Sequence, residues 1–421
     1  MSMRALIAWL ERALWLVLCA TLLWQTRVIV WTTGGLRFVE WKSFALYATD
    51  IVAVVLVGLA LLGGWRPWRH VHARAWLLLG WISLTVAWSQ SWILSVVTCV
   101  RLIEIGLLAL YLRDRVLAYG LGHASGIALC VGALGQAVLA ITQYTLGQDV
   151  GLRLIGETIL DPEMKGVAVF LDHGERVLRA YGSLPHPNVL AFALVCALGI
   201  LVWHWSQHRG QGLVTWVHAS ATALLTLGIW VTFSRAYILV LLVVVGVGLA
   251  IYRAKSVVRL WAGTILVVSL AFCVIQSDRV YARMVLGRSD AAVTLRIAYA
   301  HDALTSGNRG INWLGVGAGA YVPWLEAAHP GYPWYWYQPT HSIFLLWYAE
   351  VGLIGLAFIG WLLMIMRARS LSVTPETMLA IALCVSALGA AVFVDHFLWT
   401  LQQGRLILAL GVGLVLSPPR S

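Results

Sequence analysis

The sequence predicts an all-α, polytopic membrane protein, and three features of the chain lead to this fold class. Of its 421 residues, 61% are hydrophobic and only 11% are charged, and the mean hydropathy is +0.83. Soluble domains carry about 25% charged residues, so this chain has too few to cover a surface in water. Apolar runs that reach the about 20 residues of a membrane helix recur along the chain. We therefore predict a single transmembrane domain over residues 1–421.

About twelve apolar runs are predicted to span the membrane. The third and fourth runs are separated only by a short polar stretch around Gln90. The first run starts like a signal peptide, but no small-residue cleavage site follows it, so we expect it to remain as a helix. The predicted spans cover approximately residues 6–26, 44–64, 75–90, 92–112, 124–146, 187–205, 213–233, 236–253, 257–276, 342–366, 377–396 and 402–418.

Arginine and lysine residues concentrate in alternate short loops, and this asymmetry predicts that both termini face the cytoplasm. Two long segments, 147–186 and 277–341, then lie on the outer side. Loops longer than about 12–15 residues are usually functional or disordered, and the dense Trp, Tyr and Leu of these two argue against disorder. We expect two folded outer loops and place the chemistry in the second.

The net charge and the positions of the cysteines limit the kinds of ligand and partner that the protein is expected to bind. A net charge of +11 would suggest nucleic acid in a soluble protein. In a membrane protein it favours anionic lipid and phosphate-bearing substrates, so no nucleic-acid partner is expected. All six cysteines fall inside apolar runs without a CxxC pair, which supports neither a disulfide framework nor a zinc site.

His341 lies where the second outer loop meets the tenth span. A neutral imidazole there can accept a proton from a hydroxyl group, although a lone histidine at a helix start is more often a capping residue. Glu350 follows nine residues later inside the apolar run, where ionisable residues are costly and suggest function. Nine residues are about 13 Å of helix, so Glu350 is expected to support the site without touching His341.

Two arginines lie at predicted membrane mouths. Arg179 precedes the sixth span, and Arg235 occupies the short outer turn between the seventh and eighth spans. The guanidinium fork matches phosphate oxygens and stays charged. The alternative for Arg235 is a side chain that extends to the interface without a ligand.

The richest outer segment combines glycines with aromatic residues. Gly315, Gly317 and Gly319 lack the context of a nucleotide-binding loop and are expected to form a tight turn against the membrane surface. The aromatic residues after them, which include Tyr335 and Trp336, fit either an interfacial belt or a platform that stacks on sugar rings.

Acidic residues offer two further interpretations. Asp161 and Glu163 have a spacing that suits Mg²⁺, but such pairs are usually solvated. Inside the membrane, Arg101 and Glu104 stand three residues apart on one helix and can pair with each other, and Asp50 is a further intramembrane charge. A structural ion pair is the favoured reading of these intramembrane residues.

Several of these segments together resemble the O-antigen ligase and polymerase superfamily. The segments 179–188 and 233–235 and the segment around His341 are similar to the three signature regions of that family. Arg296, followed after ten residues by Gly307, is similar to the family's Arg-x10-Gly pattern. The family often has Asn after the histidine, whereas this chain has Ser342.

The resemblance implies a metal-independent, cofactor-free glycosyltransferase with a GT-C-like helical architecture in the bacterial inner membrane. Its members transfer a preassembled glycan from undecaprenyl pyrophosphate to a sugar hydroxyl of lipid A–core at the periplasmic face. By this resemblance His341 is the general base of an inverting displacement. The other residues that we assign to the site are Arg296 as a catalytic cation, Arg179, Arg235 and Arg288 for the pyrophosphate, His186, Asn188 and Glu350 as supporting residues, and Tyr335 and Trp336 for sugar contact.

Three alternatives remain open. An O-antigen polymerase would use a second lipid-linked glycan as the acceptor, and residue chemistry does not separate it from a ligase. A protein O-oligosaccharyltransferase would use Ser or Thr of a protein, but its members tend to carry an added outer domain after the last spans, whereas few residues follow the last predicted span here. A transporter of lipid-linked glycans would suit the intramembrane charges, although the two halves of the chain show no internal repeat.

Overall fold

The structure is a computed structural model, and it describes residues 2–32, 39–207, 212–286, 290–306, 310–333, 336–364 and 374–416. Helices make up most of this part of the chain. They are α1 (Met3–Thr21), α2 (Ala48–Leu62), α3 (Ala73–Leu84), α4 (Trp92–Tyr111), α5 (Gly122–Leu146), α6 (Pro187–Gln207), α7 (Gly212–Val231), α8 (Arg235–Tyr252), α9 (Ser256–Ile275), α10 (Ser277–Tyr281), α11 (Asp290–Leu304), α12 (Tyr321–Ala328), α13 (Ile343–Leu363), α14 (Pro375–Val394), α15 (Phe397–Thr400) and α16 (Gln402–Leu416).

Eight helices in the described residues are long and apolar enough to cross a membrane: α4, α5, α6, α7, α8, α9, α13 and α14. Three shorter apolar helices accompany them, formed by α2, by α3 with the 3-10 turn after it, and by α16. The polar stretch around Gln90 does separate α3 from α4, as predicted. A polytopic membrane protein is thus confirmed, whereas the count of twelve spans and the GT-C-like architecture stay predictions.

Helix α6 lies at the centre of the bundle and packs against α5, α7 and α14. Small residues allow this close packing, as is common between membrane helices. A Cβ atom on Gly199 of α6 would lie 3.0 Å from the carbonyl oxygen of Ala380 in α14, and one on Gly228 of α7 would lie 2.9 Å from the Cβ of Ala137 in α5. The central position of α6 matters because the predicted residues His186 and Asn188 stand at its outer end.

The two long segments that we predict to lie on the outer side are folded. The first contains an antiparallel hairpin of β3 (Val169–Asp172) and β4 (Glu175–Leu178), which follows an earlier hairpin of β1 (Arg27–Thr32) and β2 (Ser43–Tyr47). The ring of Phe170 in β3 packs 4.6 Å from that of Phe233, in the turn between α7 and α8. The second outer segment consists mainly of α10, α11 and α12. The first segment is therefore attached to the end of the helical bundle near Arg179.

The glycine-rich segment forms the predicted tight turn, which packs against two helices; its place at the membrane surface stays a prediction. Gly315 adopts φ +78°, and a Cβ atom there would lie 2.1 Å from the carbonyl oxygen of Glu350 in α13. Gly319 adopts φ +70°, and its Cβ atom would collide with the Oγ1 of Thr98 in α4. Only glycine fits such backbone contacts, and the turn fastens the second outer segment to α4 and α13.

The predicted ion pair inside the bundle is present and larger than expected. A terminal nitrogen of Arg101 lies 3.0 Å from Glu104 and 2.7 Å from Asp50 of α2. Gln402 of α16 donates its amide to both carboxylates. These bonds join α2, α4 and α16, which supports a structural role for the three charges. All six cysteines are free.

Candidate functional site

Two histidine rings form the centre of the site. His341 precedes α13, and His396 lies in the short break between α14 and α15. Their rings stack with centroids 5.6 Å apart and an interplanar angle of 21°. The ring of Tyr299, from α11, meets His341 edge-on at 5.8 Å. Three segments that are far apart in sequence thus hold the His341 imidazole.

The His341 ring is available for proton transfer. The residue is half-buried, and neither ring nitrogen forms a hydrogen bond to a described residue. Ser342 occupies the N-cap position of α13, so His341 is not the capping residue of the alternative interpretation. Burial lowers the pKa of His341 to about 4, with His396 and Arg296 adding to this effect and Asp395 opposing it. The imidazole is therefore neutral at neutral pH and has a free lone pair.

Asp395, next to His396, connects the histidine pair to the sixth helix. One carboxylate oxygen accepts the backbone N–H of His396 at 2.8 Å. The other accepts the side-chain amide of Asn188 at 3.4 Å. The side chain is buried, and these bonds hold it beside both imidazoles.

Arg179 reaches the same network from the first outer segment. Its Nε donates to the carbonyl oxygen of Thr232 at 2.8 Å, and its Nη2 donates to Oδ1 of Asn188 at 2.9 Å. The hydroxyl of Ser234 donates to that same oxygen at 2.9 Å. Asn188 therefore bridges a buried guanidinium on one side and the carboxylate of Asp395 on the other.

The turn between α7 and α8 collects two more arginines. Phe233, in this turn, adopts φ +48°, which is unusual for a residue with a side chain. Arg283 donates to its carbonyl oxygen at 3.4 Å, while Arg235 begins α8 and is exposed. Together with Arg179 and Arg296, these residues form what we call the arginine cluster.

Arg296 approaches His341 from α11. It stands three residues before Tyr299, the residue that contacts His341, and side chains at this spacing share one face of a helix. Its charge contributes to the low pKa of both His341 and Arg283. The predicted pyrophosphate ligand Arg288 lies outside the described residues, as does Gly307 of the Arg-x10-Gly pattern.

The arginine cluster has more positive charge than the neighbouring carboxylates can neutralise. Burial lowers the pKa of Arg179 to about 9, with a contribution from Arg283, and burial followed by repulsion from Arg235 lowers the pKa of Arg283 to about 10. The N-termini of α6 and α8 adjoin the cluster and add positive dipole ends. Such a site is suited to an anion with several oxygens.

The histidine pair also has the spacing of a metal site. Ligand atoms of His341, Asp395 and His396 lie within 4.8 Å of one another. A cation there would meet repulsion from the arginine cluster, and Nδ1 of His396 already lies 2.8 Å from Oγ1 of Thr400. The donor set is therefore poorly suited to a divalent ion. Asp161, of the alternative Mg²⁺ pair, is exposed and accepts a backbone N–H of its own loop.

The other predicted residues divide between the site and its surroundings. His186 accepts the backbone N–H of Asn188 at 3.1 Å, and burial together with Arg179 lowers its pKa to about 3. Glu350 belongs to a neighbouring network, where it accepts the indole N–H of Trp399 at 2.7 Å. Trp336 packs on Tyr332 at 5.0 Å, and Tyr335 lies outside the described residues.

Three residues of the site were not predicted, Asp395, His396 and Arg283, and Ser234 was included only as part of the segment 233–235. The sequence analysis placed Asp395 and His396 at the end of a continuous span, whereas α14 ends at Val394 and leaves both outside the helix. An acidic residue beside a histidine at a membrane mouth was the available signal. Arg283 carried no local signal, because one basic residue in a long outer loop resembles the others.

Comparison with known proteins agrees with the resemblance seen in the sequence. Residues 220–360 match a family model described as O-Antigen ligase. The matched region contains the α7–α8 turn, three members of the arginine cluster and His341. The match covers less than half of the chain and supports the resemblance to the O-antigen ligase superfamily. No curated protein and no solved structure matches the chain.

Proposed function

We propose that the protein is an O-antigen ligase that transfers a preassembled glycan from undecaprenyl pyrophosphate to a sugar hydroxyl of lipid A–core. The observation that carries the proposal is the continuous contact between the arginine cluster and the histidine pair. Arg179 binds Asn188, Asn188 binds Asp395, and Asp395 lies beside His341. A cationic site for a leaving group thus adjoins a neutral base.

The arginine cluster is proposed to bind the pyrophosphate of the donor. The negative charge of the pyrophosphate grows as the glycosidic bond breaks, and fixed cations in a water-poor site stabilise such charge strongly. Arg235 and Arg296 are exposed and can reach the phosphates, whereas buried Arg179 forms the wall behind them. We assign Arg288 to the same task from the sequence.

His341 is proposed to act as the general base. It takes the proton of the acceptor hydroxyl while the hydroxyl oxygen forms a bond to the anomeric carbon. The bond from this carbon to the phosphate oxygen breaks, and the electron pair leaves with undecaprenyl pyrophosphate. A single displacement inverts the anomeric configuration and requires no cofactor. Asp395 stabilises the imidazolium that forms, and His186 and Asn188 keep Asp395 and Arg179 in place.

We further propose that the protein resides in the bacterial inner membrane with both termini in the cytoplasm and the site facing the periplasm. The positions of arginine and lysine in the short loops support this orientation. The donor and acceptor are both lipid-anchored, so a site at the outer ends of the helices meets both substrates. Tyr335 and Trp336 are proposed to contact sugar.

A reconstituted assay tests the reaction. Purified protein in detergent receives an undecaprenyl-pyrophosphate-linked glycan together with lipid A–core, a second lipid-linked glycan or a Ser/Thr peptide. A ligase forms product with lipid A–core alone. Extension of the second glycan identifies a polymerase, and a modified peptide identifies a protein O-oligosaccharyltransferase.

A gene deletion separates the activities in cells. Loss of a ligase leaves full-length lipid-linked glycan that is not attached to core, whereas loss of a polymerase leaves core capped with a single repeat unit. If the protein is instead a transporter without chemistry, His341→Ala preserves glycan attachment. Attachment by His341→Ala at the wild-type level therefore contradicts the proposal.

A further inference from the structure

We infer that a second site, a polar cavity behind His396, binds the sugar of the acceptor. This inference rests on the proposed function and adds the position and chemical class of the second substrate. The cavity has two adjoining lobes between β2, α4, the turn before α12 and the start of α16. We call it the Thr400 cavity, because Thr400 lines both lobes.

The walls of the cavity are rich in groups that bind sugars. The larger lobe encloses about 470 Å³ of space not filled by atoms, counting its open mouth, and the smaller lobe about 330 Å³. The polar side chains of the walls are Glu40, Ser43, Thr98, Arg101, Glu350, Thr400, Gln402 and Arg405, and the aromatic ones are Trp41, Phe44, Tyr47 and Trp399.

The Thr400 cavity adjoins the reacting histidines directly. Oγ1 of Thr400 lies 2.8 Å from Nδ1 of His396, and the ring of Trp41 meets the His396 ring edge-on at 5.8 Å. Pro339, two residues before His341, forms part of the wall. A sugar bound here would turn one edge toward the histidine pair, in which half-buried His341 is more accessible than buried His396.

The charges of the cavity walls balance. Two carboxylates, Glu40 and Glu350, and two guanidinium groups, Arg101 and Arg405, line the walls. Arg101 is already ion-paired with Asp50 and Glu104, so the walls have no excess of positive charge, whereas the arginine cluster does. A pyrophosphate would gain little from a site with as many carboxylates as cations. A neutral ring with hydroxyl groups can donate to the carboxylates and accept from the guanidinium groups. The charge balance therefore assigns the cavity to a polyol and leaves the donor phosphates to the arginine cluster.

Two wall residues have unused hydrogen-bonding groups. Gln402 is 3% exposed, and its Oε1 has no hydrogen-bond partner among the described residues. Arg405 donates its Nε to the carbonyl oxygen of Trp399 at 2.6 Å, while its terminal nitrogens bond to no described residue. A buried polar atom left unpaired is costly. The terminal nitrogens of Arg405, in the walls of both lobes, can therefore donate to a hydroxyl-bearing ligand or to water.

The test measures transfer kinetics separately for the two substrates. The probes are lipid A–core without attached glycan as the acceptor and an undecaprenyl-pyrophosphate-linked glycan as the donor. Arg405→Gln is expected to raise the KM for the acceptor about 10- to 100-fold, because it removes a charged hydrogen bond. The KM for the donor is expected to stay within about twofold of the wild-type value. Glu40→Gln, which keeps the shape of the side chain, gives the same pattern if Arg405→Gln does not fold.

Matched controls repeat the chemical changes at exposed sites of the first outer segment. Arg153→Gln and Glu163→Gln are expected to leave both KM values unchanged. Lipid-free core oligosaccharide is expected to bind the wild type without donor and to bind both cavity variants more weakly, as measured by titration calorimetry. Equal binding in all variants would mean that the cavity holds only water.

The outcomes separate this inference from the proposed function. No transfer by the wild-type protein to lipid A–core contradicts the proposed function itself. Transfer by the wild type with an unchanged acceptor KM in both cavity variants overturns the inference alone. An increase in the donor KM instead would assign the Thr400 cavity to the donor and likewise overturn it.

Discussion

The two sides of the histidine pair have different charge patterns. On one side, the arginine cluster gathers four guanidinium groups near the N-termini of α6 and α8, and Asn188 links its Arg179 to the carboxylate of Asp395. On the other side, the walls of the Thr400 cavity contain Glu40 and Glu350 as well as Arg101 and Arg405. Both sides are polar and both adjoin the imidazoles, so polarity alone does not distinguish them.

This difference in charge suggests how one site can bind two large substrates on separate sides of the histidine pair. An excess of fixed positive charge stabilises a bound anion but gives no electrostatic stabilisation to a neutral ligand. A balanced set of charges offers donors and acceptors without favouring an ion. We expect the donor and the acceptor to be sorted by charge before either reaches His341, and the following predictions test that separation from the largest effect to the smallest.

Replacing the base should have the largest effect. His341→Gln is expected to lower kcat for transfer about 10³-fold, the usual contribution of general-base catalysis, with little change in either KM. His396→Gln should cost far less, because His396 is buried and an amide can still bond to Thr400. Measurement of kcat for the two purified variants makes this comparison. The reverse ranking would identify His396 as the base.

Removing a cation from the arginine cluster should have the next largest effect. Arg235→Ala is expected to lower transfer about 10²-fold, because one fixed charge no longer stabilises the leaving pyrophosphate. Arg235→Lys should recover only part of the rate, since a point charge does not reproduce the guanidinium fork. Arg153→Ala, an exposed arginine of the first outer segment, serves as the control. Near-normal transfer by Arg235→Ala would remove this residue from the site.

Glu350 should affect kcat mainly by holding Trp399 in position. Glu350→Ala leaves the buried indole N–H of Trp399 without its acceptor, which costs about 1–3 kcal/mol and displaces the neighbouring Thr400 and His396. We expect about a tenfold loss of kcat by this displacement, roughly the rate equivalent of 1.4 kcal/mol. Glu350→Gln, which keeps an acceptor oxygen, should recover most of it. Equal losses in both variants would show that the negative charge matters instead.

The smallest effect should come from mild acid. The pKa of His341 lies at about 4, below the ordinary 6.5, so the neutral base persists as the pH falls from 7 to 5. We expect kcat/KM, which reports the free enzyme, to change less than about twofold over that range. A midpoint near 6.5 would show that solvent reaches the ring freely.

The same shift affects stability. Between pH 6.5 and 4 the unfolded chain protonates this histidine while the folded one does not, so the unfolded state binds more protons. Stability therefore falls as the pH drops through this window. Thermal unfolding of wild-type protein and His341→Gln over this range checks the sign. A wild-type protein no more acid-sensitive than the variant would contradict it.

Much of the site was predictable because some chemistry stands out locally. His341, Arg179 and Arg235 adjoin apolar runs, and a charged or titratable residue at a membrane mouth is conspicuous in so apolar a chain. His186 and Asn188 were found because they accompany Arg179 within a few residues. Arg283 and the pairing of His341 with His396 were not, because they depend on contacts between segments distant in sequence.

The sequence by itself determined that this chain spans a membrane, since few charges and repeated apolar runs permit no water-soluble surface. It also determined which titratable and charged residues lie at the ends of the predicted spans. Only the tertiary structure decided which of them meet. The break after α14 turns Asp395 and His396 toward His341, and the packing of β2, α4 and α16 encloses a cavity whose charges balance. Charge balance and stacking depend on distances in space, and spacing along the chain does not encode them.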